Sequence, residues 1–225
     1  VLKRIPLVRV LLKRRKDDAL TRGEAISFLA AVLVVVVMCT LRPPTRTRAT
    51  RINCVSNLKQ MALGFRMWAD EHEGQFPMQV SWQEGGSKEL TLRGWVAPSF
   101  WAASNELNSP KMLVCPSDKK RLPPVTNFAS LTDRKISYFL GLDSSLSNLQ
   151  SVLGGDRNLA TNNVALPLGL VTIADPQTAG WTRESLHLAA GNLAFADGSA
   201  QQMTSENLRK FLEASGQAKI RVVIP

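Results

Sequence analysis

Ala19-Leu20-Thr21-Arg22-Gly23-Glu24, followed at once by the apolar run Ala25–Leu41, is the stretch on which the reading of this chain turns. A basic leader precedes it, with Lys3, Arg4, Arg9, Lys13, Arg14, Arg15 and Lys16. As a helix, Leu20–Leu41 would extend roughly 33 Å at about 1.5 Å per residue, enough for a bilayer core of about 30 Å. The uninterrupted part, Ala25–Leu41, is thinner by itself. Glu24 stands at the head of this segment, and an ionised carboxylate placed in lipid costs roughly 2.5–3.5 kcal/mol or more unless partnered. A cleaved secretory signal is the competing reading, with a basic region, an apolar region and then a small-residue cut. The residues after Val37, Met38-Cys39-Thr40-Leu41-Arg42-Pro43-Pro44, offer no such cut, so a retained anchor is expected.

Working outward, the net charge of +10 on 225 residues invites a nucleic-acid reading until its location is examined. Residues 1–24 carry eight Lys/Arg against three acids, and residues 42–69 carry six Lys/Arg and no acid. Those two segments hold +5 and +6, which leaves the remainder near −1. A nucleic-acid-binding domain wears its basic footprint on the folded unit, so no nucleic-acid partner is expected. The leader charge suits a cytoplasmic flank, but the basic residues beyond Leu41 leave orientation open on charge alone. A hydrophobic content of 44% permits a sizeable core.

Pro43-Pro44 predicts a break at the end of the apolar run. Beyond it, Ile52, Val55, Leu58, Met61, Ala62, Phe65 and Trp68 recur at spacings of three and four, the mark of an amphipathic helix. Arg51, Lys59, Gln60 and Arg66 lie opposite, and Gly74 is placed to end the helix. Residues 75–110 are irregular, and Trp82, Trp95 and Trp101 within them are expected to pack on the helix rather than form an exposed platform. Short strands are expected at Lys111–Cys115 and Ile136–Leu140, with a loop over 143–163. Asn192–Ala196 and Ser199–Met203 read as a hairpin around Asp197-Gly198, whose preferred turn is type I′. Ser205 is the expected cap of a helix over Glu206–Ala214, ended by Gly216, and Ile220–Ile224 is a closing strand.

The amino-terminal arrangement resembles that of type IV pilin-like proteins, including the pseudopilins of type II secretion. In that family a prepilin peptidase cuts just before the apolar segment, and a Glu occupies the fifth mature position. A cut after Ala19 makes Leu20 the first mature residue, to be methylated, and puts Glu24 in the Glu position. Arg22, Gly23 and the Ala at the cut depart from the usual pattern. A rival alignment cuts after Gly23 and loses the carboxylate. Toward the other end, His187, nine residues and then Asp197-Gly198 resemble the signature of large pilin-like families common in Planctomycetes and Verrucomicrobia. Ile52–Gln60, Gly74–Met78, Ser104–Leu107, Leu113–Pro116, Ser137–Asp143 and Gly155–Asn158 are similar to the verrucomicrobial branch.

The resemblance implies an α+β pilin-like fold: a leader over 1–19, the membrane half of a long kinked helix over 20–42, its amphipathic half over 43–74, and a head over 75–225 built on an antiparallel sheet. It implies a single-pass inner-membrane protein with a periplasmic head, working with prepilin peptidase, other pilin-like subunits and the secretion machinery. Glu24 would neutralise the new amino terminus of a neighbouring subunit. Outside the cytoplasm Cys54 and Cys115 are free to bond, closing about sixty residues for about 4 kcal/mol on the chain-entropy model; two buried thiols are the alternative. Cys39 reads as apolar filler. His187 is expected to fasten the Asp197-Gly198 hairpin rather than to hold a metal, since it lacks a partner of ligand spacing. Asp175 and Asp197 offer oxygens of the kind Ca²⁺ takes, without a recognisable liganding loop, and no cofactor is expected. No enzyme signature is present, and the other His is His72. Two further classes stay open: an anchored module that binds a partner without polymerising, and an enzyme built on His187 and Asp197.

Overall fold

The computed structural model describes residues 22–40, 45–183, 186–187, 189–215 and 219–225. The chain divides at Thr45 into two units, and each is described by itself. Ala19, Leu20, the Pro43-Pro44 break and Gly216 lie outside the described residues.

The first unit contributes α1 (Arg22–Thr40), with Glu24 in its first turn. Ile26, Phe28, Leu29, Leu33, Val34 and Val35 are all exposed, so apolar side chains surround the helix instead of forming a stripe. Among the described residues no helix is long and apolar enough to cross a membrane.

The second unit is α+β. It opens with α2 (Thr45–Asp70), which closes at Gly74, where φ is +76° and the amide donates to the carbonyl of Ala69 at 2.9 Å. The buried face of α2 is Cys54, Leu58, Met61, Ala62, Phe65, Trp68 and Ala69. Ile52, expected on this face, is 68% exposed; the face begins at Cys54, one helical turn before Leu58.

Short elements follow: α3 (Lys88–Leu92) and α4 (Ala97–Ala102), among single turns of 3₁₀ helix. The Asp133 carboxylate accepts from the amides of Val96 and Ala97 at the start of α4, supplying partners that a helix end otherwise lacks. The expected strand at Lys111–Cys115 is instead a 3₁₀ turn over Pro110–Leu113. Pro110 fits the first position, and Ser109 Oγ accepts from the Lys111 amide at 3.3 Å. Trp82 and Trp95 also depart from expectation: they are 53% and 55% exposed, while Trp101 is half-buried against the core.

Among the described residues, nine strands make two sheets. β1 (Tyr138–Gly141), β2 (Val152–Asp156), β5 (Gly169–Ile173), β7 (Ala190–Phe195), β8 (Ala200–Thr204) and β9 (Ile220–Ile224) form an antiparallel sheet in the order β5-β9-β1-β2-β7-β8. β3 (Leu159–Thr161), β4 (Val164–Ala165) and β6 (Ala179–Trp181) form the smaller one. The presence of β2 and β3 within 143–163 corrects the loop expected there. Gly154 and Gly155, read as loop glycines, are strand residues under close cover. A Cβ on Gly154 would lie 2.6 Å from the Phe139 carbonyl oxygen and 3.0 Å from Met61 Cε.

Successive side chains of a strand point to opposite faces, and the inner strands β1, β2 and β7 are buried on both, while the edge strands β5 and β8 carry exposed residues. Tyr138, Leu140, Leu153, Ala194 and Val223 join the α2 face in one core. Phe139, Val152, Leu193, Phe195, Val222 and Ile224 join the second core, with Trp181 of the small sheet and Leu208 and Leu212 of α5 (Ser205–Ala214). The cap of α5 is Thr204, whose Oγ1 accepts from the Asn207 amide at 3.2 Å. Ser205, expected to cap, accepts from the Trp181 amide at 3.0 Å and ties the helix to the small sheet.

The β7–β8 hairpin is present, but its turn is not type I′. The Gly198 amide donates to Phe195 O and the Phe195 amide donates to Ser199 O, each at 3.0 Å. Only Gly198 has a positive φ, +85°. This is the three-residue loop in which a turn is followed by a left-handed glycine.

Gly154→Val should lower folding stability by about 1–3 kcal/mol, because the added atoms meet a backbone carbonyl and the helix seated on it. A urea unfolding midpoint measures this, and an unchanged midpoint would mean that α2 does not rest on β2.

Candidate functional site

The most concentrated chemistry lies where α2, the segment before β1 and the loop before β7 meet. Cys54 and Cys115 are joined by a disulfide, with Cα atoms 5.3 Å apart and a sequence separation of 61. The bond fastens the buried face of α2 to the turn that ends just before Cys115. His187, 2% exposed, stands against it, with Nε2 3.5 Å from Cys115 Sγ. Arg51 of α2 donates to the His187 carbonyl at 3.0 Å. The backbone around the histidine is unusual, since Leu186 and Ala189 both have positive φ (57° and 59°).

The same nitrogen, His187 Nε2, lies 3.4 Å from Asp156 Oδ2. Asp156 is fully buried at the end of β2; Oδ2 accepts from the backbone and side-chain nitrogens of Asn192, each at 2.8 Å. Oδ1 is buried and has no partner among the described residues. Burial pushes this carboxyl up to about 7, against the Asn192 hydrogen bonds. Burial likewise pushes His187 down to about 4, with Arg51 acting in the same direction and Asp118 opposing. Both shifts have one cause, the cost of a charge away from water.

Next to this group Asp118 forms a two-pronged pair with Arg157, at 2.6 Å to Nε and 2.8 Å to Nη2. Burial works to raise its pKa, but the Arg157 hydrogen bonds and charge outweigh it and hold the carboxyl below its ordinary range. Tyr138, fully buried on β1, accepts from Asn57 of α2 at 3.4 Å.

Three residues singled out in the sequence thus come together: Cys54, Cys115 and His187. Among the described residues they are the one group of three or more His, Cys, Asp or Glu ligand atoms lying within 4.8 Å of one another. Asp197 and Gly198 lie elsewhere. Asp197 accepts from Ser199 N at 2.7 Å and from Gln150 Nε2 at 3.2 Å, and its carbonyl from Arg66 of α2. The described partners of His187 are not on that turn, so the expected fastening of the hairpin by His187 is replaced by Arg66, Gln150 and Ser199. His187 fastens the disulfide and β2 instead. Asp175 is equally committed, accepting from Gln177 N at 2.9 Å in its own turn, and among the described residues neither acid belongs to a group of three or more close ligand atoms. Asp156, Asp118, Arg157 and Asn192 were not legible as site residues. The available signal was Gly155-Asp156-Arg157-Asn158, an acid and a base adjoining paired glycines at a strand end.

Cys115 and Asp156 address the same imidazole nitrogen. A hydrolytic relay needs the base and the orienting acid on opposite nitrogens, so this is not a nucleophilic triad. The ligand atoms close to one another are two sulfurs, here joined in a disulfide, and an imidazole, and thiolate and imidazole donors are the kind a soft cation takes. No protein-family model, characterised protein or solved structure matches the chain.

Asp118→Asn should destabilise the protein by about 3 kcal/mol at neutral pH, because Arg157 loses its counter-charge. A carboxyl held below its ordinary value of 3.8 contributes stability above that value and loses it as pH falls through its folded value. The gap between wild type and variant should therefore narrow as the medium is acidified from about pH 6 to about pH 3. Urea midpoints across that range test this; a constant gap would contradict it.

Proposed function

We propose that this chain is a pilin-like subunit of an envelope fibre, of the type II secretion or type IV pilus kind, and not an enzyme. The observation that carries the reading is α1. A helix with exposed apolar side chains all round needs cover from lipid or from other helices, and its first turn holds a carboxylate, Glu24. An α+β head follows, in which a second helix packs on an antiparallel sheet. In this reading the chain is inserted as a precursor, cut after Ala19 by a prepilin peptidase, methylated on Leu20, and held at the inner membrane with its head in the periplasm. Subunits then assemble through their apolar helices, and Glu24 meets the new ammonium terminus of a neighbour. The pairing offsets the cost of an apolar-phase carboxylate and gives assembly its register.

One observation favours a second reading, an anchored module that binds a polymer or protein without polymerising. Trp82 and Trp95 are exposed, and Trp95 borders a shallow cleft with Pro98, Trp101, Leu131 and Arg134. Aromatic faces beside a cation suit a ring-bearing or sugar-like ligand.

Glu24→Ala separates the two. A fibre subunit should stay in the membrane fraction while sheared surface fibres fall at least about tenfold, since the lost ion pair is an apolar-phase one. Undiminished recovery of fibres, or their absence from wild-type cells, would favour the anchored module.

A further inference from the structure

A disulfide is neutral and needs neither an imidazole nor a carboxylate beside it. Yet the Cys54–Cys115 bond lies in the core with His187 against one sulfur and Asp156 against the imidazole, and Asp156 keeps a buried oxygen without a partner among the described residues. Leaving such a group unsatisfied costs about 1–3 kcal/mol or more, so a staple alone does not account for the cluster.

We propose that the dithiol form of this cluster is a binding site for a zinc-class divalent cation, with Cys54 Sγ, Cys115 Sγ, His187 Nε2 and the Asp156 carboxylate as its four ligands. Zinc takes thiolate sulfur at about 2.3 Å, imidazole nitrogen at about 2.0–2.1 Å and carboxylate oxygen at about 2.0–2.2 Å, in a tetrahedron. Those lengths set sulfur and nitrogen about 3.6 Å apart along an edge, and nitrogen and oxygen about 3.3–3.4 Å apart. Cys115 Sγ lies 3.5 Å from His187 Nε2, and His187 Nε2 lies 3.4 Å from Asp156 Oδ2. The sulfur–imidazole edge is thus already at coordination length in the disulfide-bonded protein, and the Asp156 carboxylate touches the same nitrogen through Oδ2 while its Oδ1 has no partner among the described residues. Cys54 Sγ lies within 4.8 Å of both Cys115 Sγ and the imidazole nitrogen. Once the sulfur–sulfur bond is gone the thiolates have to part only to about 3.8 Å, the edge between two thiolate ligands. The chemistry of the set agrees, since thiolate and imidazole ligands select zinc over calcium or magnesium.

The conversion balances. A phosphine or dithiol reductant supplies two electrons, the sulfur–sulfur bond breaks, and each sulfur takes one proton from solvent. Binding the cation returns those two protons to solvent, with His187 neutral and Asp156 ionised. A doubly charged ion with two thiolates and one carboxylate leaves a single negative charge, near Arg51, whose guanidinium already holds the His187 carbonyl. Either chemistry ties α2 to the segment before β1, so the helix is fastened to the rest of the head in a reducing or an oxidising compartment. The inference stands on this cluster and not on the reading of α1.

The test uses the full chain carrying Cys39→Ser, which removes the third thiol. It is reduced without oxygen by a phosphine, freed of reductant, and titrated with Zn²⁺ and separately with Co²⁺. The expected result is one zinc retained per chain after dialysis. Cobalt should give a thiolate-to-metal charge-transfer band and the intense red bands of a tetrahedral site. His187→Gln and Asp156→Asn should each weaken Co²⁺ binding on the order of tenfold or more. A reduced protein that unfolds and regains its circular dichroism on adding zinc also supports the site. No retained zinc, a weak octahedral cobalt spectrum, failure of zinc to restore a lost fold, or unchanged affinity in folded His187 and Asp156 variants would overturn it.

Discussion

Strands whose side chains are buried on both sides cannot show either face to water, so the inner strands of the six-stranded sheet, β1, β2 and β7, have to be covered twice. One cover is the apolar face of α2 from Cys54 to Ala69; the other is α5 together with the small sheet. The rest of the head follows from that double cover. The glycines of β2 exist because the strand runs beneath a helix and against a neighbouring carbonyl, and a side chain at Gly154 would hold the layers apart. At roughly 25 cal/mol per Å² of apolar surface, such burial is the main favourable term in a fold of this size. Arg66 and Arg51 then fix the seat of α2 by reaching the carbonyls of Asp197 and His187, one on each side of β7 in sequence.

Beneath this apolar packing runs a polar seam that the packing alone does not require. Asp156, Asn192, His187, Asp118, Arg157 and Tyr138 form a buried group around the Cys54–Cys115 bond. Charges taken out of water cost several kcal/mol each unless paired. Asp118 meets that demand with Arg157. Asp156 does not meet it fully among the described residues, where Oδ1 has no partner, and burial raises its pKa. That contrast between neighbouring carboxylates sets the Asp156 end of the seam apart from the Asp118–Arg157 ion pair.

Much of the head could be read from residue pattern alone, for identifiable reasons. The spacing of Leu58, Met61, Phe65 and Trp68 announces a helix face, and Asp197-Gly198 between two apolar runs announces a hairpin. Both are local signals, and both elements are there. The strands β2 and β3 were hidden because Gly154-Gly155 ordinarily means a loop; only the neighbouring strands and the helix packed on Gly154 explain glycine there. The turn at Pro110 was hidden by an apolar run too short to separate strand from 3₁₀ geometry. Thr204 and Ser205 are both good caps, and the choice between them fell to a distant residue, Trp181. Cys54 with Cys115 was legible as a pair of thiols in an oxidising compartment. The pairing of His187 with Asp156 was not, since 31 positions separate them and only strand order brings them together.

The proposed role joins this head to an amino-terminal helix that needs a covering of lipid or of other helices. Mass spectrometry of the mature amino terminus, on protein taken from the host's membranes, tests that most directly. The expected result is a chain beginning at a methylated Leu20. A retained leader, or a first residue beyond Leu41, would contradict it and take Glu24 out of the mechanism.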